Sequence, residues 1–134
     1  MRTPAHDTAL YLAAQGVTGA LGGATGWPVC TGREPLEPAD VVTVYDTGGG
    51  APTGKSGPQL RYPTIQVRVR SDDYVSGWEK ADEIQRALFD TTSEATQGGV
   101  NVQWVAQGDV NYIGRDDKDR PLFTANYRMT RQPT

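Results

Sequence analysis

Thr64-Ile65-Gln66-Val67-Arg68-Val69-Arg70 decides the fold, together with the segment that follows it. Ile65, Val67 and Val69 alternate with Gln66, Arg68 and Arg70. A period of two predicts a β-strand with one buried face and one polar face. Beyond Ser71 the period changes. Tyr74, Trp78, Ala81, Ile84 and Leu88 recur at helical spacing, with Glu79, Asp82, Glu83 and Arg86 outside that stripe. This predicts a helix over residues 73–90, capped by Asp72 or Asp73 and carrying an Asp82–Arg86 i,i+4 pair. Its expected anchors on the Ile65/Val67/Val69 face are Trp78, Ile84 and Leu88. Gly77 costs such a helix up to ~1 kcal/mol against alanine, which points to a close approach to the sheet.

Working outward, Val41 to Tyr45 is rich in β-branched residues and reads as a strand. Trp27 to Thr31 reads as a short edge strand, because Pro28 is tolerated only at an edge. Residues 4–15 read as a helix with Thr3 as N-cap, Pro4 in the first position and Gly16 at C′. In that helix Ala9, Leu12 and Ala13 share a face, with Tyr11 turned elsewhere. In the last third, Val100, Val102, Trp104 and Ala106 alternate, as do Phe123, Ala125, Tyr127 and Met129, with Val110 to Ile113 between them. The tip from Gly114 to Pro121 has turn chemistry. A long Gly/Pro-rich loop spans about 47–62. The predicted class is α+β: one domain, a mixed or mainly antiparallel sheet, and two helices packed on one face.

The bulk properties exclude several functions. The chain has 134 residues and a formal net charge of -3, with no Lys/Arg run. It lacks the clustered basic face of a specific nucleic-acid binder. One cysteine, Cys30, excludes an internal disulfide framework and suits a reducing cytoplasm. Cys30 and the single His6 do not make a metal site of ordinary ligand number. No apolar run approaches the ~20 residues of a membrane helix, and the N-terminus lacks a signal peptide's apolar stretch. No membrane partner, metal or cofactor is expected.

Gly49-Gly50-Ala51-Pro52-Thr53-Gly54-Lys55-Ser56 matches the phosphate-loop pattern G-x-x-x-x-G-K-[ST]. That chemistry needs Lys and Ser at the start of a helix whose amides hold the phosphates. Here Gly57-Pro58 follows at once and no helical stripe precedes Thr64, so the stretch reads as a loop. Asp116-Asp117-Lys118-Asp119 lacks the glycine and distal glutamate of a calcium loop and reads as a solvated hairpin tip. Glu34 and Glu37 lie in a Pro-flanked segment and read as solvated charges. No catalytic constellation emerges, and an enzyme is not expected. Arg68 and Arg70 form a row that either faces solvent or meets the acids of another subunit.

Leu10-Tyr11-Leu12-Ala13-Ala14-Gln15-Gly16, Val44-Tyr45-Asp46-Thr47-Gly48-Gly49, Pro63 to Arg70 and Tyr74 to Leu88 stand in a telling order. So do Tyr112 to Asp116, Arg120 to Phe123, and Asn126-Tyr127. Their sequence resembles the tail terminator or minor capsid proteins of long-tailed bacteriophages. The resemblance implies a single domain over 1–134 that forms a ring, usually a hexamer. Such a ring binds the end of the tail tube, stops its growth and presents a surface to the head connector, with room for DNA to pass. The implied partners are further copies of the chain, the major tail tube protein and a head-completion protein. The implied location is the virion, at the head–tail junction, after assembly in the host cytoplasm. A head-closure or adaptor protein of the neck is the alternative, and a small P-loop enzyme a remoter one. Because a closed ring above two members uses heterologous contacts, Arg68 and Arg70 on one side and Asp116, Asp117 and Asp119 on the other are the interface candidates.

Overall fold

The alternation at 64–70 becomes a central strand, and everything else is built around it. The computed structural model describes residues 3–50, 61–89, 95–97 and 100–132. The elements are α1 (Pro4–Ala14), β1 (Val29–Thr31), β2 (Val41–Gly50), β3 (Tyr62–Arg70), α2 (Tyr74–Phe89), β4 (Ala95–Gln97), β5 (Val100–Ala106), β6 (Asn111–Arg115) and β7 (Pro121–Gln132). The sheet order is β1-β2-β3-β7-β5-β4, with β6 paired to β7 beside the first half of that strand. β1 runs parallel to β2 and every other pairing is antiparallel, so the sheet is mixed. β1 is indeed an edge strand, and it starts just after Pro28.

Register places Val42, Val67, Val69, Phe123 and Ala125 on one face of the sheet. Both helices cover this face. Ala5, Ala9 and Leu12 of α1, and Ala81, Ile84 and Leu88 of α2, join Ile65, Val67 and Val69 in one buried cluster. Removing this apolar area from water is the main force holding the two layers together.

The ends of α1 follow its sequence closely. Thr3 caps the start by accepting a hydrogen bond from the His6 amide at 3.1 Å. Gly16 sits at φ 74, and the Val17 amide returns to the Leu12 carbonyl. That is a Schellman closure, and it requires a residue tolerant of positive φ. Tyr11 was expected to turn away from the core. It is half-buried instead, and its ring lies 4.6 Å from that of Trp104.

The phase of α2 differs from expectation at one residue. Trp78 is 44% exposed, while Gly77, Ala81, Ile84 and Leu88 are buried. A helix turns 100° per residue, so the stripe through 77, 81, 84 and 88 leaves 78 on its flank. Gly77 takes the place expected for the tryptophan. A Cβ there would lie 2.7 Å from the Phe123 ring and 2.9 Å from the Ser71 Cβ. Gly77→Ala is therefore expected to destabilise the fold by about 1–3 kcal/mol through overpacking, reversing the ~1 kcal/mol that alanine normally adds to a helix. Chemical denaturation checks this, and a stabilised variant would contradict the close approach.

Two buried polar links fasten α1 to the sheet. Asp7 and Arg131 form an ion pair of 2.6 Å, with side chains 0% and 4% exposed. The Trp104 Nε1 donates to the Thr8 hydroxyl at 2.9 Å, and that hydroxyl donates to the Pro4 carbonyl.

Candidate assembly surface

The second face of the sheet carries Tyr45, Gln66, Arg68, Arg70, Thr124, Asn126 and Arg128. No helix covers it. At one end the segment 34–40 crosses over it, and this segment determines what the predicted arginines do. Glu34 stands above both. Its Oε2 lies 2.9 Å from Arg68 Nε, and its Oε1 accepts from Arg70 Nη1 at 3.0 Å. Arg70 also donates to the Pro38 carbonyl at 2.7 Å and the Ala39 carbonyl at 3.2 Å. It is 2% exposed. Arg70 thus anchors the segment, and Arg68 remains half-open to solvent at 31% of its side chain.

Glu34 was expected to be a solvated charge. Two arginines on adjacent same-face positions of β3 are strong, fixed donors, and a single carboxylate joins both of them. Nothing in a Pro-flanked extended segment announces such a contact, which depends on the chain folding back across the sheet. Glu37 does lie at the surface, 3.5 Å from Lys118 Nζ.

The acidic tip divides in the same way. Asp116 organises the turn. Its Oδ1 accepts from the Lys118 and Arg120 amides, and its Oδ2 accepts from Arg120 Nε at 2.8 Å. Burial alone would raise its pKa, but the Arg120 amide and guanidinium and the Lys118 amide bring it below the usual carboxylate value. Arg120 then reaches across to the Leu36 carbonyl at 3.0 Å. Asp117 and Asp119 are exposed, and Asp119 takes a positive φ of 61 and lies 3.7 Å from Arg115. The structure therefore brings the two predicted charge sets to the same end of the same subunit, linked through segment 34–38. Asp117 and Asp119 offer exposed charge and Arg68 a half-open one paired to Glu34, while Arg70 and Asp116 hold the framework beneath them.

A second exposed surface was not foreseen. Tyr74, Val75 and Trp78 of α2 are 44%, 59% and 44% exposed, and Tyr112 and Ile113 of β6 are 46% and 48% exposed. The Tyr74 and Tyr112 rings touch edge-on at 5.1 Å, and both rest against Phe123. Through Tyr74 and Tyr112, α2 and β6 meet in an apolar corner, with Val75 and Trp78 exposed beside it on α2. Its signal in the sequence was Trp78, which the helical stripe absorbed into the core.

Gly54, Lys55 and Ser56 of the phosphate-loop pattern lie outside the described residues. Gly49 and Gly50 belong to the end of β2, where Gly49 takes φ 112 against the backbone of Tyr62 and Pro63. Among the described residues, no group of three or more His, Cys, Asp or Glu side chains could hold a metal ion, and no helix is long and apolar enough to cross a membrane.

Fold and surface together define a two-layer α+β protein with one helix-covered sheet face and one open face. A solved structure of similar architecture, which carries no functional name, superimposes with a TM-score of 0.53 at 13% identity. It covers 96% of this chain and 93% of its own. At that identity the likeness concerns the fold alone. No curated protein matches the sequence. A family model described as bacteriophage tail terminator protein matches residues 11–133, nearly the whole chain. The chain belongs to the bacteriophage tail terminator family, and it is a structural component of the virion tail that meets other tail or head proteins.

Proposed function

We propose that the chain, as a single domain over its full length, assembles into a hexameric ring that caps the tail tube. The ring stops tube polymerisation and presents the joining surface to the head connector, after assembly in the host cytoplasm. The observation that carries this reading is the family match over residues 11–133. The architecture supports it, since a ring subunit needs two different surfaces for its two neighbours. The open sheet face around Arg68 is offered as one of them.

Charges of this kind steer and register subunits more than they hold them. Arg70→Glu would break a buried anchor and disturb the fold, so Arg68→Glu, with Arg70 intact, is the cleaner probe of the face. The test is electron microscopy of tail tubes incubated with the purified chain. Wild-type protein is expected as a ring at one end of each tube, and Arg68→Glu as fewer capped ends at matched protein concentration. Wild-type protein that stays monomeric on tubes would favour the adaptor reading. An Arg68→Glu protein that caps normally would remove this face from the interface.

A further inference from the structure

Among the described residues, nothing covers the apolar corner of α2 and β6. Tyr74 and Tyr112 touch there, Val75 and Trp78 follow on the same end of α2, and each of the four is 44–59% exposed; exposed apolar surface of this kind marks a contact site. On its α2 side the charge is mainly acidic, and on β6 Arg115 is paired with Asp119. Asp72 and Asp73 precede α2, and the helix carries Glu79, Asp82 and Glu83 against only Lys80 and Arg86. Lys80 and Arg86 are already engaged by Glu83 and Asp82. The open sheet face has the opposite character. Arg68 and Arg128 stand there among Gln66 and Asn126, and Val105 beside Arg128 is 40% exposed. The described strand residues on that face include no acid, and the Glu34 above it is engaged by two arginines.

One surface is thus apolar with an acidic flank on α2, and the other is polar and basic with an apolar spot. They lie on opposite sides of the two-layer fold. The tip at Asp117 and Asp119 does not meet this description, because it carries no exposed apolar residue and Asp119 is paired with Arg115. We propose that the α2/β6 corner of one subunit docks on the open sheet face of the next copy of this chain. The inference rests on the ring reading and specifies its contact: Trp78 and Val75 as apolar anchors, Arg128 and Arg68 facing Asp72, Asp73 and Glu79. A head-to-tail contact between two different surfaces is what closes a ring of more than two members.

The test uses two variants that each damage one surface. Trp78→Glu spoils the corner and leaves the sheet face intact, and Arg128→Glu does the reverse. Both residues are exposed, so thermal unfolding should stay close to wild type. Val75→Glu replaces Trp78→Glu if the latter unfolds. Self-association is measured by light scattering coupled to size exclusion, alone and in the presence of tail tubes. Wild type is expected to form rings, and each variant alone at least a tenfold weaker association. A one-to-one mixture should give a heterodimer and nothing larger, because only one intact contact is available. If both variants form rings as wild type does, or if the mixture stays monomeric, the proposed contact is wrong while the ring reading survives. If wild type forms no ring alone or on tubes, the ring reading itself fails and takes this contact with it.

Discussion

Replacing Asp7 with alanine is expected to destabilise the fold by about 3–5 kcal/mol, because it takes a buried carboxylate partner away from a buried guanidinium. Arg131 is 3% exposed, and its Nη2 donates to Asp7 Oδ2 at 2.6 Å. The pair joins the first turn of α1 to the end of β7, more than a hundred residues later in the chain. Two buried charges in contact contribute little relative to apolar residues of the same shape, since desolvation offsets most of their attraction. Removing one partner is different, because the other keeps its desolvation cost while losing this ion pair. The double variant Asp7→Leu/Arg131→Met should therefore be considerably more stable than Asp7→Ala. Urea denaturation midpoints measure all three proteins. A loss below about 1 kcal/mol for Asp7→Ala would mean that water reaches Arg131 in the folded state.

The second large effect separates two tryptophans. Trp104→Ala should cost about 3–5 kcal/mol, the usual range for a large buried aromatic. Its side chain is 2% exposed, stacks on Tyr11 and donates to Thr8, so truncation opens a cavity and leaves the α1 hydroxyl short of a donor. Trp78→Ala should cost under about 1 kcal/mol, as for an exposed position. The same denaturation series decides the matter. A large loss at Trp78 and a small one at Trp104 would reverse the packing described for both helices.

That contrast shows what the sequence could tell. Strands with strict alternation were legible, since Ile65, Val67, Val69, Phe123, Ala125 and Tyr127 are all buried as their period demands. The ends of α1 were legible because capping chemistry is local. The rotation of α2 was not. Gly77 and Trp78 are neighbours, and a helical stripe wide enough to hold five apolar residues admits either as its centre. What decided between them was the Phe123 ring, from a strand over forty residues away. The short strand β4 was also missed, as Ala95-Thr96-Gln97 has no hydrophobic alternation to announce its pairing with β5.

The candidate surface was half legible. A row of arginines on a polar strand face was readable, but its partner was not, because Glu34 reaches it only after segment 34–40 folds across the sheet. Asp116 was expected at a solvated tip and instead holds the turn through three hydrogen bonds from Lys118 and Arg120. The apolar corner escaped because exposure of an aromatic is a tertiary property: the same spacing that fills a core can equally leave one flank bare.

In the role proposed above, this chain ends tail growth. The most direct measurement is the length of tail tubes polymerised from purified tube protein, followed by light scattering and electron microscopy, with and without the chain. Termination predicts that substoichiometric protein stops elongation and leaves short tubes with a ring at one end. Tubes that lengthen at the same rate and to the same extent in its presence would contradict it.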